Sequence, residues 1–156
     1  MSSLLFDKTN EYLYLQVNRL TIIDFSSKEV NELSASLKKL NNTLTRTLQT
    51  MVGLGLGYIS LNRKTQTLSG GEVNRVKLCD HLSRMKVTSK ILIIDEPVSG
   101  LDAETASIVA KFIHSKVHLF AAIIIIEHRL EVIELADYMI TVGPGAGKLG
   151  GEIQSQ

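Results

Sequence analysis

Residues 90–102 read KILIIDEPVSGLD, and this stretch decides the class of fold. The four consecutive aliphatic residues Ile91 to Ile94 predict a strand buried on both faces, because such a run presents no polar side to water. A proline and a glycine then break the strand, and Asp102 is placed to cap a following helix. Two carboxylates, Asp95 and Glu96, therefore stand at the carboxyl end of a buried strand.

Paired carboxylates at a strand end are suited to metal-assisted chemistry on phosphates. In nucleoside triphosphatases the first carboxylate, here Asp95, engages Mg²⁺, often through water. The second, here Glu96, can orient or deprotonate the attacking water. Acidic residues at strand ends are also common and mostly solvated, so the pair alone leaves both interpretations open.

Upstream, residues 67–72 read TLSGGE and predict the start of a helix. Ser69 and Glu72 form a capping-box pattern, in which each side chain accepts from the other residue's backbone amide. Gly70 and Gly71 would occupy the first turn, where each costs about 1 kcal/mol relative to alanine. Their bare backbone lets an anion reach N–H groups at the positive end of the helix dipole, which favours a phosphate site. A tight turn that needs small residues explains the glycines equally well.

The helix that follows has a predicted buried stripe. Val73, Val76, Cys79 and Leu82 recur every three residues, with polar residues between them. We therefore expect Cys79 to be packed inside the protein rather than to act as a nucleophile. Arg75 falls on the polar face, where we expect solvent exposure, with contact to phosphate or DNA as the alternative.

Downstream of the opening stretch, strand and helix patterns alternate. Residues 120–128 predict a second buried strand, residues 129–136 a short helix and residues 137–143 a third strand. This order predicts a parallel sheet with right-handed crossovers. Ligands gather at the carboxyl ends of such strands, where Glu127-His128 would join Asp95-Glu96.

The first 66 residues predict a mostly helical part. Strands are predicted at residues 12–17 and 20–23, and a capping box at Ser26 and Glu29. The helix after it would bury Val30, Leu33, Leu37 and Leu40, and a second helix would cover Thr43 to Met51. A glycine-punctuated connector leads to Ser69. We therefore divide the chain at residue 66, with residues 67–156 as the α/β half.

Composition limits the possible functions. The 156 residues are 44% hydrophobic and 21% charged, which fits one globular domain with a proper core. The net charge of +1 gives no global basic field of the kind that by itself indicates nucleic-acid binding. The single cysteine excludes an internal disulfide framework and a cysteine-rich zinc module. The longest apolar run, residues 119–126, is too short to cross a bilayer, and we expect a cytoplasmic protein with no membrane partner.

Four motifs in order, LSGGE, ILIIDEP, SGLD and IIEH, resemble the second half of an ATP-binding cassette (ABC) ATPase. The resemblance implies part of a P-loop NTPase fold, with a helical signature subdomain, and the cofactors ATP and Mg²⁺. It also assigns roles to individual residues: Leu68, Ser69, Gly70, Gly71 and Glu72 as the ATP-contacting signature loop, Ser99, Gly100, Leu101 and Asp102 as the D-loop, Asp95 as a Mg²⁺ ligand through water, Glu96 as the catalytic carboxylate of Walker B, and His128 as the switch histidine at the γ-phosphate.

Within this family, residues 52–78 and 126–153 resemble the UvrA-like proteins of bacterial nucleotide excision repair. That resemblance implies DNA and other excision-repair subunits as partners. Two departures make the chain look like a divergent member: Asn74 stands where such chains usually have glutamine, and Asp102 where they often have histidine.

A phosphate-binding Walker A loop, G-x-x-x-x-G-K-[ST], is absent from the sequence. The nearest stretch, Gly143 to Leu149, has one residue too few and ends in leucine. The zinc-binding cysteine pairs of UvrA-like proteins are missing too, so we expect no zinc. The sequence therefore predicts a piece that needs a Walker A-bearing cassette and is inactive alone, and it leaves Ile91 to Ile94 without one neighbouring strand. The alternatives are a non-catalytic interaction module or part of an ABC transporter ATPase subunit.

Overall fold

The structure is a computed structural model that describes residues 21–38, 43–143 and 151–155. This part of the chain contains six α-helices and four strands. In chain order they are α1 (Ile22–Ser27), α2 (Val30–Leu37), α3 (Thr43–Gly53), α4 (Gly70–Arg84), β1 (Ile91–Asp95), α5 (Ala103–His114), β2 (Ala122–Ile126), α6 (Leu130–Ile133), β3 (Ile140–Val142) and β4 (Ile153–Ser155).

The parallel sheet consists of β1 and β2, paired in register from Ile91 with Ala122 to Asp95 with Ile126. Parallel neighbours need a crossover, and α5 supplies it. Asp102 begins this helix, as predicted, because its carboxylate accepts a hydrogen bond from the Thr105 amide. The predicted α/β fold, with a parallel sheet and flanking helices, is confirmed.

The beginning of the described chain differs from the sequence prediction. Residues 20–23 were expected in a strand, but Ile22 and Ile23 begin α1, which a capping box of Thr21 and Asp24 starts. Ser26 lies inside that helix and donates to the Ile23 carbonyl, so the predicted Ser26 capping box is wrong. The predicted strand at residues 12–17 lies outside the described residues.

Two apolar clusters hold the helices. The smaller one joins α2 to α3 through Val30, Leu33, Leu37 and Leu48, as the apolar pattern predicted, while Leu40 lies outside the described residues. The larger one lies between α4, α5 and the inner face of the sheet and includes Leu54, Leu78, Leu82, Ile94, Val109 and Ile113.

The buried face of α4 differs from the predicted stripe. Cys79 and Leu82 are buried as expected, but Val76 is exposed and the charged residues Glu72 and Arg75 are buried. A helix buries positions three and four apart, and here tertiary partners of the two charged residues rotate that face away from Val76. The expected solvent exposure of Arg75 is therefore wrong.

One face of the sheet is apolar and uncovered in the described part of the chain. Leu92, Ile94, Ile123 and Ile125 pack on the core, whereas Ile91, Ile93, Ile124 and Ile126 are exposed, with Ile93 at 65%. The expectation that both strands are buried on both faces is wrong for these residues. Within the described ranges β1 has β2 as its one partner, and the expected missing neighbour stays a prediction.

The third predicted strand does not join this sheet. β3 pairs with β4 in antiparallel register, Ile140 with Ser155 and Val142 with Ile153. A local antiparallel pair needs no crossover helix, which explains why the segment pairs with the following chain. In the described ranges no helix is both long and apolar enough to cross a bilayer.

Neighbouring isoleucines of β1 should respond differently to substitution. Ile94→Ala removes a core side chain and should lower the free energy of unfolding by about 2–4 kcal/mol. Ile93→Thr alters the uncovered face and should change the free energy of unfolding by less than about 0.5 kcal/mol. Because an exposed apolar strand with an unpaired edge favours association between chains, we expect the chain to self-associate and this substitution to reduce that association. Urea unfolding and sedimentation velocity test both. Equal destabilisation by the two substitutions would show that the Ile93 face is covered within the chain.

Candidate functional site

The two carboxylates of the predicted site follow the end of β1. Asp95 is its last residue and is exposed. Glu96 has a φ of 43°, the left-handed region, and is the one non-glycine residue of the described chain with positive φ. Its N–H donates to the Ile126 carbonyl at 3.0 Å, and its carbonyl accepts from Ser99 at 3.2 Å. This conformation costs about 1–2 kcal/mol, and such strain concentrates at functional sites.

His128 lies at the same edge of the sheet, two residues beyond β2. Its side chain is 81% exposed, and its Nδ1 is 3.3 Å from Oε1 of Glu127. The Glu127 side chain is only 3% exposed and accepts from the backbone N–H groups of His128 and Arg129 at 2.9 and 3.3 Å. His128 and Glu96 thus lie at the same edge of the sheet, because they follow neighbouring strands whose last residues, Ile126 and Asp95, are paired.

Gly70 and Gly71 have different surroundings at the start of α4. A Cβ added to Gly70 would meet no atom within 4 Å, so its backbone is open to approach. A Cβ added to Gly71 would lie 2.8 Å from the Ser99 carbonyl oxygen and 3.2 Å from Nη1 of Arg75. Gly70 therefore agrees with the prediction that a missing side chain leaves space for a ligand, and Gly71 agrees with the alternative that tight packing requires a small residue.

The predicted capping box at the start of α4 is confirmed, and its Glu72 carboxylate also contacts residues outside the helix. Ser69 Oγ accepts from the Glu72 amide at 3.3 Å, and the Ser69 amide donates to Oε2 of Glu72 at 2.6 Å. The other carboxylate oxygen accepts from the Tyr58 hydroxyl and lies 3.4 Å from Nη1 of Arg63. The Tyr58 hydrogen bond and then that of the Ser69 amide lower the pKa of Glu72. Glu72 is thereby turned into the protein, and its assigned role toward ATP stays a prediction.

The D-loop turns between β1 and α5. Gly100 has a φ of 74°, which glycine adopts without strain. Asp102 accepts from the backbone and hydroxyl of Thr105 at 2.9 and 2.7 Å, and these bonds lower its pKa. Ser99 and Asp102 are exposed, whereas Leu101 packs against the larger core cluster.

Two arginines that sequence analysis did not assign to the site contact the D-loop backbone. Arg75, only 3% exposed, donates from Nη1 to the Ser99 carbonyl at 3.1 Å. Burial lowers the pKa of Arg75. Arg129 donates from Nη1 to the Leu101 carbonyl at 2.5 Å and is held by Glu131 at 2.7 Å. Periodicity gave no signal for either contact, because each joins residues more than 20 positions apart.

A magnesium ion would need ligands beyond the protein at this edge. In the described ranges no three His, Cys, Asp or Glu side chains are grouped as a metal site. Asp95 offers an exposed carboxylate, the kind of oxygen ligand that Mg²⁺ takes alongside water and phosphate oxygens. The residues therefore fit an ion shared with a nucleotide, and Asp95 as its ligand stays a prediction.

Comparison with known proteins gives the family. No family model matches the sequence. The UvrABC system protein A of Staphylococcus aureus is 38% identical over 146 residues, 94% of this chain and 15% of that protein. The Helicobacter pylori protein of the same name is 37% identical over 141 residues, 90% of this chain and 15% of that protein. The chain belongs to the UvrA-like ABC ATPases.

A solved structure that this UvrA-like chain resembles is much longer. UvrA2 from Deinococcus radiodurans superposes with a TM-score of 0.78 at 29% identity, covering 92% of this chain and 17% of that one. The chain thus spans about a sixth of the solved structure and 15% of its curated relatives. The predicted ABC ATPase fold is confirmed, and its status as a piece agrees with these lengths.

The two glycines of the UvrA-like signature loop should differ in their effect on stability. Gly71→Ala places a methyl group against the Ser99 carbonyl and should lower the free energy of unfolding by about 1–3 kcal/mol. Gly70→Ala meets open space and should leave it unchanged or raise it by up to about 1 kcal/mol. Urea unfolding of both variants measures the difference. Equal effects would contradict the assignment of Gly71 to packing.

Proposed function

We propose that this chain contributes one half of a composite ATP site in a UvrA-like excision-repair assembly, with the phosphates held mainly by a Walker A loop on another cassette. The observation that carries the proposal is the open backbone at Gly70, at the start of the 15-residue helix α4. The family membership of the chain supports ATP and Mg²⁺ as its ligands.

The start of α4 would contact the γ-phosphate of a nucleotide bound by the other cassette. Its first amides carry the positive end of the helix dipole, and the missing side chain at Gly70 lets phosphate oxygens approach them. Ser69 and Glu72 use their side chains to cap the helix, so the contact would come from backbone N–H groups. The remaining signature residue, Leu68, packs against the larger core cluster.

The edge of the sheet would perform the hydrolytic step. ATP supplies the phosphoanhydride bond, and Mg²⁺ neutralises its phosphate charge. Asp95 would hold the ion through water, and Glu96 would orient the attacking water or accept its proton. His128, exposed at the same edge of the sheet, would donate a hydrogen bond to a γ-phosphate oxygen. The left-handed backbone of Glu96 supports a functional role for this residue, because such strained conformations cluster at active sites.

The UvrA names of the relatives support a role in DNA repair. The proposal extends to this chain the partners that the family implies, namely DNA and other excision-repair subunits. The net charge of +1 gives no basic field, so DNA contact would depend on the assembled protein. Among the relatives reported above, none carries a transporter name, so that alternative has no support from them.

A second candidate is a non-catalytic module that docks on an intact cassette. It is favoured by one observation, the absence of a Walker A sequence in the 156 residues. The two candidates differ at Glu96, because a docking module does not need that carboxylate for hydrolysis.

Mixing the chain with a much longer relative tests the proposal. With the Staphylococcus aureus UvrABC system protein A and Mg-ATP, Gly70→Asp should abolish nucleotide-dependent association. A carboxylate about 4 Å from a phosphate oxygen costs about 4 kcal/mol at an effective dielectric constant of about 20. Asp is favourable in a first helical turn, so the free energy of unfolding of this variant should not fall, and urea unfolding serves as the control for folding.

Hydrolysis in the same mixture separates the two candidates. Glu96→Gln should keep nucleotide-dependent association and lose the ATP turnover that the chain adds to the mixture. Turnover that does not change in Glu96→Gln would favour the docking module. The chain alone should show no ATPase activity above background. Robust activity of the chain alone that disappears in Glu96→Gln would contradict the incomplete site.

A further inference from the structure

The D-loop backbone is held from two sides by arginine side chains. The carbonyl of Ser99 accepts from Arg75, and the carbonyls of Val98 and Leu101 accept from Nη1 of Arg129 at 3.4 and 2.5 Å. The arginines come from different elements, since Arg75 lies in α4 and Arg129 directly precedes α6. The D-loop is therefore a shared contact of the signature helix and the segment that carries His128.

On the side of α4, the contact between Arg75 and the Ser99 carbonyl is buried. Arg75 is buried in the chain, and its Nε has no hydrogen-bond partner among the described residues. The guanidinium donates from Nη1 to the Ser99 carbonyl and also interacts with the Tyr58 side chain. Gly71 lies against the same carbonyl, where a Cβ would be at 2.8 Å. A shift of the first turn of α4 must therefore displace Ser99.

On the other side Glu131 aims the arginine. It accepts from Nε and Nη2 of Arg129 at 3.3 and 2.7 Å, which leaves Nη1 directed at the D-loop. Glu127 accepts from the amides of His128 and Arg129, so one carboxylate holds the backbone of both residues. A shift of the Leu101 carbonyl would therefore act, through Arg129, on the segment that presents His128.

We propose that Arg129, aimed by Glu131, is a positioning residue that couples the signature loop to His128 through the D-loop, with Arg75 as its counterpart on α4. The consequence for catalysis rests on the proposed function. In a composite assembly the signature loop would contact one nucleotide while Glu96 and His128 act on another. The two arginines would therefore transmit nucleotide binding at one site to the other site. The planar guanidinium suits this task, because it can bind a carboxylate and a carbonyl at once.

Amide hydrogen exchange of the whole chain without nucleotide tests the coupling. Arg129→Gln should speed exchange of the Leu101 amide and also of the Glu72 amide in the signature loop, which Arg129 does not touch, by about tenfold. Arg75→Gln should speed exchange of the His128 amide on the opposite side by a similar factor. Arg84→Gln breaks an exposed ion pair to Asp80 of similar length and is the matched control, expected to change none of these amides.

The aiming role of Glu131 gives a second measurement. Glu131→Gln should reproduce most of the increase in the exchange rate of the Leu101 amide that Arg129→Gln causes. The double variant should exchange this amide no faster than Arg129→Gln alone. If Arg75→Gln impairs folding, the Arg129 and Glu131 variants, which are partly exposed, still decide the question. Additive effects, or faster exchange confined to residues that the substituted side chain touches, would overturn the proposal. Because no nucleotide is present, this outcome is independent of whether the composite ATP site exists.

Discussion

The close approach of Gly71 to the Ser99 carbonyl is the contact on which the arrangement of the site depends. It leaves no room for a side chain at residue 71 and fixes the start of α4 against the turn that follows β1. The neighbouring position, Gly70, is open, since a Cβ added there would meet no atom within 4 Å. The same turn contains Glu96 at its beginning, so the signature loop and the strained carboxylate are positioned by one piece of backbone.

Buried charge makes this arrangement specific. Glu72 and Arg75 are both buried in α4, and each is bonded to a group outside the helix. Removing a partner from such a group leaves a desolvated charge, which costs far more than the bond itself contributes. These two residues therefore select one rotation of α4, in which the apolar Val76 is exposed and Cys79 and Leu82 stay inside.

Local chemistry could be predicted from the sequence, and tertiary contacts could not. The caps at Ser69 and Asp102 depend on residues three positions apart and were found, as were the two parallel strands and the crossover helix. The same rule failed at Ser26, because the competing box at Thr21 begins a helix earlier. The apolar runs in β1 and β2 predict that these strands are buried, but they do not show which neighbour covers each face. Arg75 and Arg129 donate to backbone carbonyls, and because every residue has a carbonyl, no residue type in the sequence predicts these contacts. The boundary at residue 66 stays a prediction.

Alkylation of a single introduced thiol tests most directly whether a nucleotide held by another cassette covers Gly70. Asn74 is exposed one helical turn after Gly70 on the same face, so Asn74→Cys reports on that surface without altering the glycine. Burial raises the pKa of the native Cys79 to about 11, which keeps it unreactive. With the Staphylococcus aureus protein present, Mg-ATP should slow alkylation at residue 74 and leave an exposed control, Ala35→Cys, unchanged. Equal rates at residue 74 with and without Mg-ATP, while the two proteins are bound, would contradict the account.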